Sequence, residues 1–263
     1  MRILRLTNSN DFAGDVSDSD RSYRAVEAAM EAAFGEPVET IRKVIWPADD
    51  LPDIVERWVV QYRPDIVLLK PNSFWHAYES VPARVRRKLG WLGRAGQSVG
   101  DSGFKAARQP WLAYNPVFRK FRCIAQATIG GDTHLPVEYC LANMEAVIRR
   151  VLRHEDTVLV VRGSRGGRDR PELPKKVAAR NDARRAQFRA GMEKICAELS
   201  VPLLSKSGKR KYDTGVYQAD RFHANAAGHA QQGEFEARGM VEAWRRHLEG
   251  MSPTLPVQSP GAR

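Results

Sequence analysis

The chain has 263 residues, 43% of them hydrophobic, with 42 Lys and Arg against 31 Asp and Glu and a formal net charge of +11. That length and apolar content suffice for one large domain with insertions and exclude a fold that depends on disulfide staples. Cys123, Cys140 and Cys196 are odd in number and lack metal-ligand spacing, and no apolar run reaches about 18 residues, so no disulfide framework, metal site or membrane span is expected.

The first residues, Met-Arg-Ile-Leu-Arg-Leu-Thr, turn polar too soon for a secretory signal, and a cytoplasmic location is the expectation. Ile3 to Leu6 reads as a first strand, and Ser22 to Phe34 as a helix stopped by Gly35. Ile41 to Trp46 reads as a second strand, followed by a helix over Leu51 to Tyr62. Pro64 then introduces Asp65-Ile66-Val67-Leu68-Leu69, the strongest buried-strand signal in the chain. Further on come a helix over Val137 to Leu152, a fourth strand over Val158 to Val161 and a long helix over Ala178 to Leu199. A short fifth strand over Pro202 to Leu204 and a closing helix over Gly233 to Leu248 complete the series. Short apolar runs alternating with helical patterns signal βαβ units and a parallel sheet. Residues 1–250 are therefore expected to form a single α/β domain, with a Pro- and Ser-rich, disordered tail over 251–263.

Two segments interrupt the alternation. Residues 82–135 hold many cations, from Arg84 to Arg122, against few acids, and are too long for an ordinary connection; such insertions at the carboxyl edge of a sheet often cover substrate. Gly163 to Lys176 is rich in Gly, Arg and Pro and reads as a loop. The positive balance favours anionic substrates or polyanions without bearing on fold. A nucleic-acid partner is not the primary expectation.

In open α/β sheets, ligand sites form beyond the carboxyl ends of the strands. Strand one ends at Thr7-Asn8-Ser9-Asn10 and strand three at Lys70-Pro71-Asn72-Ser73, and Asp220-Arg221-Phe222-His223 falls after strand five, before the last helix. A carboxylate three residues before a histidine can hold the Nδ1–H and leave Nε2 free as a base, for which Ser9 is the matching hydroxyl. Three separately chosen polar groups thus land on one sheet edge.

This layout resembles the SGNH (GDSL-type) hydrolases, a flavodoxin-like three-layer α/β/α family of esterases, lipases, thioesterases and carbohydrate deacetylases. Thr7-Asn8-Ser9 stands where that family has Gly-Asp-Ser, so only the serine is retained. Lys70-Pro71-Asn72-Ser73 stands where it has Gly-x-Asn-Asp. Asp220 to His223 matches its Asp-x-x-His in full, with Asn225 and Gly228 following in the family's manner. The resemblance implies an α/β/α sandwich with a mostly parallel five-stranded sheet. It also implies a Ser9–His223–Asp220 triad acting on carboxylic esters, and an oxyanion hole from the Ser9 N–H and the Asn72 amide. The family's second-block glycine is missing from Ile45-Trp46-Pro47-Ala48, where the Ala48 N–H is the remaining donor, since Pro47 has none. Asn8, Trp75 and His76 are expected beside substrate, with Phe74 and Tyr78 extending an apolar wall. No cofactor is implied. The same groups would serve acyl transfer if an alcohol replaced water. The alternative is a catalytically degenerate member whose basic insertion binds polyanions, motivated by the altered triplet and the charge of +11.

Overall fold

The structure, a computed structural model, describes residues 1–12, 16–79, 131–163, 173–205, 214–218 and 223–251, together with the single positions 84, 117, 120, 124 and 128. Most of the basic insertion, the loop after the fourth strand, Asp220 and the tail beyond 251 lie outside these residues. The polyanion-binding alternative therefore concerns positions that are largely outside them as well.

Five strands form one sheet in the order β2-β1-β3-β4-β5, and every pairing is parallel. They are β1 (Arg2–Thr7), β2 (Glu39–Val44), β3 (Ile66–Leu69), β4 (Val158–Arg162) and β5 (Leu203–Leu204). The expected parallel α/β/α architecture is thus present. On one face lie α1 (Ser22–Phe34) and α6 (Ala226–Met251). On the other lie α2 (Leu51–Tyr62), α4 (Val137–Val151) and α5 (Lys175–Glu198), with the single turn α3 (Phe74–Ala77) beside α4 and α5.

Strand periodicity divides the core in two. Leu4, Leu6, Val67, Leu69, Leu159 and Val161 face α2, α4 and α5, where Val55, Met144, Val147 and Phe188 complete the layer. Ile3, Ile66, Leu68 and Val160 face α1 and α6, meeting Val26, Met30, Ala237 and Met240. Burying each large apolar side chain contributes roughly 1.5–3 kcal/mol. β3, fully buried along its length, reads as an unbroken apolar run because helices cover both its faces.

Three elements depart from expectation by two residues or more, among them α5, which begins at Lys175 rather than Ala178. β2 spans Glu39–Val44 rather than Ile41 to Trp46, because this edge strand pairs only with β1, from Arg2↔Glu39 to Thr7↔Val44. Its partner's register, not its own apolar pattern, sets its limits. α6 begins at Ala226, seven residues before the expected Gly233. Asn225 Oδ1 accepts from the Gly228 N–H at 2.9 Å and caps this first turn. Gly228 itself sits so close to the preceding segment that a Cβ there would lie 2.1 Å from the Val216 carbonyl oxygen. The turn is small and polar because it packs against backbone, and apolar periodicity does not reveal it.

Candidate active site

A 2-1-3-4-5 order reverses direction between β1 and β3, and the crevice outside their carboxyl ends is the expected ligand site. Ser9 opens a 3-10 turn, Ser9–Asp11, directly after β1 and is exposed there. The turn is closed by Asp11 N–H to the Asn8 carbonyl at 3.2 Å and Phe12 N–H to the Ser9 carbonyl at 3.0 Å. Asn8 is half-buried beside it.

Asn72 stands on the other side of the switch, past β3. Its Oδ1 accepts the Phe74 N–H at 3.0 Å, closing an Asx turn just ahead of α3. Because a backbone N–H must face oxygen, the NH2 end of the carboxamide points away from that bond. Among the described residues this NH2 makes no hydrogen bond, which leaves it available as a donor.

Ala48 lies in the loop between β2 and α2. Asn143 of α4 donates to its carbonyl, Leu51 N–H does so at 3.1 Å, and Tyr139 holds the adjacent Asp49 Oδ1 at 2.7 Å. α4 thus fixes the loop through carbonyl and side chain while the Ala48 N–H is spent on none of these bonds.

His223 is half-buried just ahead of α6. A small antiparallel bridge, Tyr217↔Ala224, ties its segment back to residues 214–218, with Gln218 N–H on the His223 carbonyl at 2.9 Å. The start of α6 shares an edge with the start of α1, since His229 Nδ1 accepts from Ser22 N–H at 3.3 Å. α1 follows β1, so this is also the Ser9 edge of the sheet. Asp220, the expected orienting carboxylate, lies outside the described residues.

Two residues expected beside substrate lie in the core. Trp75 is 1% exposed, within the core that α4 helps to build. His76 is 0% exposed, its ring stacked on Phe188 of α5 at 4.1 Å. Burial, assisted by Arg185 and Arg184, pushes its imidazole down to about 3, so it is neutral. Along this single turn Trp75 and His76 face the interior, while the half-buried Phe74 ring packs against Trp46 and His134. The aromatic wall at the edge is instead Phe74, His134 and Trp46: Phe74 and His134 lie 4.7 Å apart, and Trp46, 45% exposed, is 5.8 Å from His134.

A buried ion network that the local sequence pattern does not reveal joins the turn after β1 to β3 and α6. Arg5 projects from β1 on the α1/α6 face, and its guanidinium donates to Asp11 Oδ2, to Ser22 Oγ at 2.8 Å and to Glu236 Oε2 of α6 at 2.5 Å. Lys70 Nζ donates to Asp11 Oδ1 at 2.9 Å and lies 3.4 Å from Glu236 Oε1. Arg162, at the end of β4, also pairs with Glu236. Burial works to raise the Glu236 carboxyl, but Arg162, Arg5 and Lys70 outweigh it and hold it at about 2. For Lys70, burial and Arg5 prevail over Asp11 and Glu236 and bring the ammonium down to about 8. The available signal was a cation within or directly after three apolar runs, Arg5 in β1, Lys70 after β3 and Arg162 at the end of β4, since a buried charge must be paired.

No protein-family model matches the sequence, and no curated protein matches it. Solved structures do resemble its fold. The psychrotrophic esterase EstA from a Pseudoalteromonas species has 11% identity over 94% of this chain and 98% of its own, with a TM-score of 0.52. Est24, a carbohydrate acetylesterase from Sinorhizobium meliloti, has 9% identity over 92% and 98%, with a TM-score of 0.53. A lipolytic protein of the G-D-S-L family from Desulfitobacterium hafniense has 11% identity over 90% and 98%, with a TM-score of 0.50. The five-stranded parallel sheet, its strand order and these likenesses together give the chain the SGNH/GDSL-type hydrolase fold.

Proposed function

We propose that this chain is a serine-dependent hydrolase of carboxylic esters. The observation that carries the reading is that Ser9 and Asn72 follow the carboxyl ends of the two strands that flank the switch point, Ser9 exposed and the Asn72 carboxamide NH2 unspent. The fold shared with esterases supports it.

Ser9 Oγ attacks the acyl carbon while His223 Nε2 takes its proton, which then passes to the leaving alkoxide. Asp220 orients the imidazole and supports its charged form. The oxyanion receives hydrogen bonds from Asn72 Nδ2, the Ser9 N–H and the Ala48 N–H. Water activated by His223 then attacks the acyl-enzyme and restores the serine. No cofactor enters any of these steps. An alcohol in place of that water would make the same groups an acyltransferase.

The test is covalent labelling by a fluorophosphonate of the folded wild type and of Ser9→Ala. Labelling of wild type alone, with ester hydrolysis lost in the variant, is the expected result. Equal labelling of both, or of neither, would refute the assignment.

A further inference from the structure

Asp11 and Lys70 stand in matched positions. Asp11 closes the turn that Ser9 opens, and Lys70 lies two residues before Asn72. The ladder between β1 and β3 reaches the Lys70 N–H, which donates to the Leu6 carbonyl at 2.8 Å. Beyond that point the side-chain bridge from Lys70 Nζ to Asp11 Oδ1 joins the two turns. Arg5 holds the second oxygen of the same carboxylate, and Arg42 of β2 donates to the Asp11 carbonyl at 3.0 Å. Asp11 is 1% and Lys70 4% exposed.

Stability alone is a poor reason for such a group. Buried ion networks are often no more stabilising than apolar residues of the same volume, and apolar layers complete the core below these strands. What a fully buried, multiply bonded carboxylate supplies is a fixed geometry. We propose that Asp11 and Lys70 are positioning residues, a buried clamp that fixes the turn carrying Ser9 against the turn carrying Asn72. The inference rests on the catalytic reading of those two residues, although the clamp itself can be observed without catalysis. A displacement of about 1 Å between nucleophile and oxyanion donor can cost about 10²-fold in rate, which is the scale of the advantage.

The experiment compares the full-length wild type with Lys70→Met and Asp11→Asn by hydrogen exchange and by steady-state ester hydrolysis. Lys70→Met keeps an apolar stem and leaves Arg5 and Arg162 balanced against Asp11 and Glu236. Asp11→Asn is isosteric and reports from the other turn. If one variant fails to fold, the other answers the same question. In Lys70→Met, exchange of the Asp11 and Phe12 amides should rise about tenfold or more while β3 and α4 stay protected; in Asp11→Asn, exchange should rise at the Lys70 and Phe74 amides. Unchanged exchange across the bridge overturns the clamp whatever the activity. In kinetics, kcat should fall about 10²-fold with KM within about twofold. An unchanged kcat, or a loss carried by KM, overturns the positioning role. Absence of Ser9-dependent hydrolysis in the wild type would defeat the catalytic reading instead, and the exchange result would still decide the clamp.

Discussion

Asn72 shows how one side chain serves two ends. Its oxygen is committed to the Phe74 N–H, so rotation that would misdirect the NH2 breaks that bond. Asn72→Ala should lower kcat about 10²–10³-fold with little change in KM, as loss of one oxyanion donor does, measured with a chromogenic ester. His76 is the opposite case. Both ring nitrogens are buried without a hydrogen bond, at a cost of about 1–3 kcal/mol for such groups. His76→Phe should therefore leave hydrolysis unchanged and raise the denaturant midpoint, and a loss of activity would restore this residue to the site. Glu236 sets an acid limit on stability. Its folded value of about 2 lies below the usual 4.5, so the folded state binds protons less readily than the unfolded chain. Its contribution is complete above about pH 4.5 and disappears as the pH falls toward 2. Denaturant titrations should show stability falling over that window in wild type and a shallower fall in Glu236→Gln.

At the scale of elements, helix starts rather than helix bodies place the site. Asn72 holds the first N–H of α3 and Asn225 caps α6, each within two residues of a proposed catalytic position, Asn72 itself and His223. Asn225 does more than cap: its Nδ2 donates to the Gly215 carbonyl at 3.0 Å and its N–H to the Val216 carbonyl at 3.2 Å. Asn225→Ala should cost about 1–2 kcal/mol by chemical denaturation through the lost cap, and should also depress kcat, because the Nδ2 bond it removes ties the His223 segment to Gly215. The bodies of α1, α2 and α4 were legible from their apolar spacing and agree with expectation to within a residue. The start of α6 was not. Its first turn packs through Gly228 and His229 against backbone and α1, a contact that leaves no hydrophobic period to read.

Across the whole molecule, Arg5 and Glu236 join the first strand to the last helix, 231 residues apart. Removing α6 would leave Arg5, Lys70 and Arg162 with Asp11 as their only carboxylate in the network. A chain ending at residue 225 should therefore lack a cooperative unfolding transition by circular dichroism. Among the described residues no helix is long and apolar enough to cross a membrane. From its order of residues alone, the chain determined the alternation of strand and helix, the parallel sheet and the loops that hold Ser9, Asn72 and His223. These follow from local periodicity and from the rule that sites gather at carboxyl ends. Tertiary structure decided which side of a one-turn helix faces inward, so that Trp75 and His76 entered the core and Phe74 did not. It also decided which charges meet: Arg5, Asp11, Lys70, Arg162 and Glu236 come from separate elements. Pairing among such groups depends on register and helix packing, which no local pattern encodes.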